Sequence, residues 1–141
     1  MIITGAAPAS LVSIRRATQD DRDVLTGMFG RCSAQTRYRR FHGAIVMFPR
    51  GYLAEALSRS PLHHALVAAA GNVTDDIVAL ASCRVVDEGM AEVGVLVEDA
   101  WQRHGLGSAL LDELAAHART LGLRALTALS CRPAATRSAS A

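Results

Sequence analysis

Ala91-Glu92-Val93-Gly94-Val95-Leu96-Val97 reads as a strand, and four residues later comes Trp101-Gln102-Arg103-His104-Gly105-Leu106-Gly107-Ser108, which opens into a strongly helical run over residues 108–121. A strand feeding a glycine loop that turns directly into a helix is suited to a phosphate-bearing ligand. The first helical N–H groups have no partner of their own, and the helix dipole adds partial positive charge there. Glycine at 105 and 107 lets the backbone approach such a ligand closely.

Outward from this stretch, the pattern is mixed α/β. Leu106, Leu110, Leu114, Ala118 and Leu121 recur at helical spacing and predict an inward face, with Gly122 as the C-terminal cap. Residues 123–129 read as a strand running parallel to 90–97 through that helix. Upstream, residues 63–70 and 77–86 read as an antiparallel hairpin around the glycine and Asx residues of 71–76, and a turn at Asp87-Glu88-Gly89 extends it into a meander. Residues 11–17 alternate as a first strand. Thr18 then caps a helix whose stripe is Val24, Leu25, Met28, Phe29 and Cys32. Residues 33–49 are the least regular part, followed by a short helix over 50–59 with Tyr52, Leu53, Ala56 and Leu57 inward. The first ten residues read as a flexible start, and residues 130–141 as a disordered tail.

Composition sets the bounds. A chain of 141 residues, 50% apolar, fits one domain with a sizeable core. The net charge of +2 is spread out apart from Arg37 to Arg40 and gives no reason to expect nucleic acid. Cys32, Cys83 and Cys131 are odd in number and lack a C-x-x-C spacing, as suits reduced thiols inside a cell. There is no basic leader with an apolar core, and no run approaches the roughly 18 apolar residues of a membrane span. A cytoplasmic protein is the expectation.

The order Gln102-x-x-Gly105-x-Gly107, with Trp101 beside it, a hydrophobic strand before it and an amphipathic helix after it, resembles the acetyl-CoA-binding motif of the GNAT N-acetyltransferases. The resemblance spans roughly residues 11–129 and is best over 91–121. It implies the GNAT acyltransferase fold, a mixed sheet of the α/β class, and acetyl-CoA as cosubstrate. By that resemblance the diphosphate lies on the backbone N–H groups of Arg103, His104, Gly105, Leu106, Gly107 and Ser108, with charge added by Arg103. The pantetheine arm pairs with Val95, Leu96 and Val97, one of whose N–H groups faces the thioester oxygen. Gly94 is expected to mark a bulge that splays two strands apart.

Amine acetylation also needs removal of the proton that keeps an amine from attacking. Strand alternation puts Glu92, Gly94 and Leu96 on one face, and Glu92, thirteen residues before Gly105, stands where protein-acetylating relatives carry their general base. A carboxylate facing an apolar cleft would have its pKa raised by desolvation. The competing reading is an ordinary exposed strand residue. A similar arginine–aromatic stretch, here Arg37 to His42 leading to Phe48-Pro49, is found in bacterial GNAT domains that acetylate protein lysines, although such a run is more often a solvated, partly packed helix end.

Rival chemistries lack their residues. His63 and His64 are adjacent on a strand and point to opposite faces, and no spacing matches a zinc site. Ser108 lacks the turn of a hydrolase nucleophile, Leu110 and Thr127 stand where a dinucleotide fold wants a small residue and an acid, and the P-loop lysine is missing.

A complete GNAT domain continues past the 123–129 strand into another helix and two further strands, with an asparagine or tyrosine that often serves the CoA sulfur as general acid. Residues 130–141 match none of it, which predicts a shortened chain or a lost reading frame near Leu129 and an open sheet edge through which two copies pair as a homodimer. The leading expectation is acetyl transfer to a primary amine, a protein lysine before others. The alternatives are a catalytically silent acetyl-CoA-binding module and an acetyltransferase for small-molecule amines.

Overall fold

A computed structural model describes residues 2–4, 11–43, 47–71, 76–128 and 136–138. Seven strands form one sheet in chain order: β1 (Ile2–Thr4), β2 (Leu11–Arg16), β3 (His63–Ala70), β4 (Ile77–Asp87), β5 (Met90–Val97), β6 (Ala125–Ala128) and β7 (Thr136–Ser138). All neighbours are antiparallel except β5 and β6, which are parallel and joined through α4 (Leu106–Thr120). The other helices, α1 (Arg22–Arg31), α2 (Ala34–Phe41) and α3 (Arg50–Ala56), lie between β2 and β3.

The hairpin, the meander and the parallel pair follow the sequence pattern. β3 and the first seven residues of β4 are almost wholly buried because helices cover both faces, so apolar runs dominate there, whereas β5 keeps much of its alternation. One face packs Leu110 and Leu114 of α4, both 0% exposed, against Leu66, Ala68, Ala81 and Val93. Burial of each such leucine contributes about 2–3 kcal/mol. The opposite face packs Leu25, Met28 and Phe29 of α1 with Leu53 and Leu57 against Ala65, Val67, Leu80 and Leu96. Asp21 ties the entry to α1: it accepts from both Arg15 nitrogens at 2.7 and 2.8 Å and from the Thr18 N–H at 2.8 Å.

Several expectations change. Residues 2–4, expected to be flexible, pair along β2, and residues 136–138, expected to be disordered, pair along β6. The β6 edge is therefore covered by Thr136–Ser138 rather than open, because a three-residue strand suffices to extend its ladder. The rest of 1–10 and of 130–141 lies outside the described residues. The irregular stretch contains α2, capped by the Ser33 hydroxyl, which accepts from the Thr36 N–H at 3.1 Å. The helix at 50–59 stops at Ala56, and Leu121 falls just beyond α4 and is 46% exposed, not inward.

Candidate active site

The glycine loop sits where the pattern put it. Gly105 is the N-cap residue of α4 at φ 80°, left-handed backbone that favours glycine, and Arg103 beside it has φ 65°. No side chain caps this helix end, and its first turn holds no acidic residue. A Cβ built at Gly105 would meet nothing within 4 Å, and one at Gly107 only Val95 Cγ1 at 4.0 Å. Among the described residues nothing occupies that space, so the N–H groups of Leu106, Gly107 and Ser108 at the uncapped start of α4 could hold a diphosphate. Leu106, 4% exposed, anchors the loop in the core, while Arg103 and Ser108 are exposed and His104 is half-buried.

Gln102 turns inward: its Nε2 donates to the Val97 carbonyl and to Thr36 Oγ1, both at 2.9 Å, and so fixes the loop to the end of β5 and to α2. Pairing of β5 with β4 runs to Ala79↔Val97, whereas among the described residues its pairing with β6 extends as far as Val93↔Ala128. Beyond Val93, β5 has no strand on the β6 side among the described residues. A cavity of about 230 Å³ lies there, lined by Thr36, Arg39, Arg40, Val95, Val97 and Gln102. Leu96 points into the core at 2% exposure and can offer this groove its backbone alone.

Gly94 forms no bulge against β4, and on the β6 side it stands just past the last described pair, Val93↔Ala128. It pairs with Ser82 in unbroken register, and the β4–β5 irregularity lies between Val85 and Asp87. Glycine is required because the Arg40 guanidinium lies against it, its Cζ 2.4 Å from where a Cβ would stand. Arg40 is 6% exposed and also lies over the rings of Phe41 (4.5 Å) and Tyr52 (4.7 Å). Arg37, in contrast, donates to the carbonyls of Phe29 and Gly30 and finishes α1.

Across Arg40 from the groove, a second cavity of about 250 Å³ holds Glu92 together with Glu55, His63, Arg84, Tyr52 and Ser82. His63, Arg84 and Glu92 form one row across three strands through the pairs His63↔Arg84 and Arg84↔Glu92. Arg84 Nη2 donates to Glu92 Oε2 at 3.2 Å, and Arg84 Nη1 is 3.9 Å from Glu55. Glu92 therefore faces a charged cavity, its side chain 30% exposed, rather than an apolar cleft. Tyr52 and Ser82 share a hydroxyl hydrogen bond of 2.8 Å.

Two compartments thus meet at Arg40 and Gly94, one reaching the glycine loop and one holding carboxylates. The model of the acetyltransferase (GNAT) family matches residues 31–140. The chain belongs to the GNAT acetyltransferase family. Its members transfer acetyl from acetyl-CoA, and the open cradle at Gly105 and Gly107 fits that cosubstrate. No curated protein matches the chain. Among solved structures, the GNAT domain of S. lividans PAT is 24% identical with a TM-score of 0.79, over 91% of this chain and 76% of that one. The protein yncA of Salmonella typhimurium, described as an acetyltransferase and solved with its cofactor acetyl-CoA, is 25% identical with a TM-score of 0.65, over 83% and 68%. A cAMP-binding acyltransferase from Mycobacterium smegmatis is 22% identical with a TM-score of 0.58; the match spans 90% of this chain and 37% of that protein.

In this GNAT chain, Val95, Val97 and Gln102 line the groove, the Arg103–Ser108 stretch frames the cradle, and Glu92 lies in the other compartment. Arg40 belongs to the Arg37–His42 stretch that the sequence offers as a substrate-binding lead, and it lines both cavities, whereas sequence reading missed Glu55, His63, Ser82 and Arg84 as cavity residues. Their signal was the strand register, which aligns 63, 84 and 92 only once both hairpins are fixed. Cys32 and Cys83 are buried free thiols, each pushed up to about 11 by burial, and are inert packing residues. Among the described residues no cluster suits a metal ion, and no helix is long and apolar enough to cross a membrane.

Proposed function

We propose that this chain acetylates a primary amine by direct attack on acetyl-CoA, with a protein lysine side chain as acceptor and Glu92 as the base. The observation that supports it most is the junction at Gly94 and Arg40, where the stretch of β5 beyond Val93, without a strand on its β6 side among the described residues, meets a cavity holding Glu92 and Glu55. Two carboxylates suit an ammonium group, and the rings of Phe41 and Tyr52 suit the methylene stem that carries it.

When bound, acetyl-CoA supplies an acetyl group on a thioester. The residues of this chain do the rest. The N–H groups of Leu106, Gly107 and Ser108 hold the diphosphate, and one N–H among Val95, Leu96 and Val97 meets the carbonyl oxygen, a preorganised donor worth about 3 kcal/mol of transition-state stabilisation. Glu92 accepts a proton from the ammonium, a role typically worth about 10²–10⁴ in rate. Arg84 holds the carboxylate in position.

That same Arg84 contact favours a second reading, a catalytically silent acetyl-CoA binder, since the carboxylate already holds a guanidinium partner at 3.2 Å. Thiol release from acetyl-CoA, followed with lysine peptides and with small amines, separates the readings. Release with peptides supports the proposal, release with small amines alone selects a small-molecule acetyltransferase, and CoA binding without acceptor-dependent release selects the silent module. Glu92→Gln should lower kcat by about 10²-fold or more with little change in KM for acetyl-CoA; an unchanged kcat removes Glu92 from the mechanism. With β6 covered by β7, self-association by strand pairing would run through the outer edge of β7 or β1, and light scattering reads whether it occurs.

A further inference from the structure

The reaction removes two protons from the acceptor nitrogen. An ammonium loses one to become nucleophilic; as the N–C bond to the acetyl carbon forms and the C–S bond breaks, with its electron pair leaving on sulfur, the nitrogen loses a second. Water returns one proton to the thiolate, so one proton is released overall. Glu92 accounts for one acceptor.

His63 is the imidazole built into the wall of this cavity. It is 1% exposed, and neither ring nitrogen has a hydrogen-bond partner among the described residues. Leaving two polar atoms unsatisfied at such depth is costly unless something else uses them. Nδ1 stands 3.6 Å from Glu55 Oε1, just outside hydrogen-bond distance, and the Glu55 side chain is 45% exposed. The Tyr52 ring packs beside it at 5.9 Å between centroids.

Resting on the acetyl-transfer reading above, we propose that His63 is the second proton acceptor of the reaction, taking the acceptor nitrogen's remaining proton and passing it through Glu55 to bulk water. The charged groups facing it are Glu55 on α3, Arg84 on β4, Arg40 on α2 and, across the cavity, Glu92 on β5. Burial first, offset by Glu55 and reinforced by Arg84 and Arg40, holds the imidazole below its ordinary pKa of 6.5. It is thus neutral, and able to accept, at pH 7. Once charged, it has Glu55 at hand.

The test has two readouts. In the protein without acetyl-CoA, the histidine ring signal that disappears in His63→Gln should titrate below 6.5 by NMR, and in Glu55→Gln at lower pH still, because the carboxylate that favours the imidazolium is gone. In thiol-release kinetics with a blocked lysine peptide and small primary amines, His63→Gln should lose about 10²-fold in kcat. The acid limb of wild-type kcat/KM should move to lower pH in Glu55→Gln, whose exposed position leaves folding intact. Wild-type protein with no acceptor-dependent release overturns the acetyl-transfer reading itself. An active wild type whose acid limb is the same in Glu55→Gln, or whose kcat survives His63→Gln, overturns the role of His63 alone.

Discussion

Gly94→Ala should destabilise the protein through one side chain. The added Cβ would lie 2.4, 2.5 and 2.6 Å from Arg40 Cζ, Nη2 and Nε, where ordinary contacts are 3.4–4 Å, so the guanidinium must retreat by about 1 Å or more. In retreating it leaves the faces of Phe41 and Tyr52, each such contact being worth about 1–1.5 kcal/mol. Against a loss of about 2–3 kcal/mol stands a gain of about 0.5–1 from replacing glycine within a strand. The net expectation is about 1–2 kcal/mol of destabilisation. If Arg40 is the cause, Gly94→Ala should stabilise by about 0.5–1 kcal/mol in an Arg40→Met background, giving a coupling of about 2–3 kcal/mol in a double-mutant cycle measured by urea denaturation. Additivity within about 0.5 kcal/mol, or a Gly94→Ala variant as stable as wild type, would refute the contact as the reason for glycine at this position.

Gly107→Ala separates folding from binding: the Cβ meets only Val95 Cγ1 at 4.0 Å, so stability should hold or rise by up to about 1 kcal/mol, while CoA affinity measured by calorimetry falls tenfold or more. Asp21→Asn should cost about 1–3 kcal/mol by leaving Arg15 without its counter-charge, checked by chemical denaturation at pH 7. Burial pushes the Asp21 carboxyl up, but Arg15 and the Thr18 N–H outweigh it and hold the pKa below the ordinary value, so its contribution is present above about pH 4 and lost as pH falls further. His64 is held down to about 4, by burial first and then by His117, whose ring stacks on it at 3.6 Å. A lowered histidine withholds a proton that the unfolded chain binds, so stability should fall by up to about 1.4 kcal/mol per pH unit between pH 6.5 and 4, and His64→Gln should flatten that slope.

What was legible in the sequence is what local chemistry decides. Glycine at φ 80° before a helix, the leucine stripe of α4 and the turn residues between β3, β4 and β5 each act within a few residues, and their pattern survives into the fold. Glu92, Gly94 and Leu96 share a face because strand alternation is obligatory. The cavity was not legible, since Arg40 reaches Gly94 from another element and His63 meets Arg84 only through the register of a hairpin. The reason for Gly94 was misread on the same ground: a bulge is a local cause of glycine, whereas a guanidinium packed against the backbone is a tertiary one. The small strands β1 and β7 have too few residues to show a period, and they form because existing edges offer them partners.

The account depends most on the uncapped start of α4 as a holder of diphosphate. Isothermal titration of CoA into folded protein tests it most directly. Saturable one-to-one binding in the micromolar range, weakened by Gly107→Ala without loss of stability, is the predicted result; folded protein that shows no saturable heat up to millimolar CoA would contradict it.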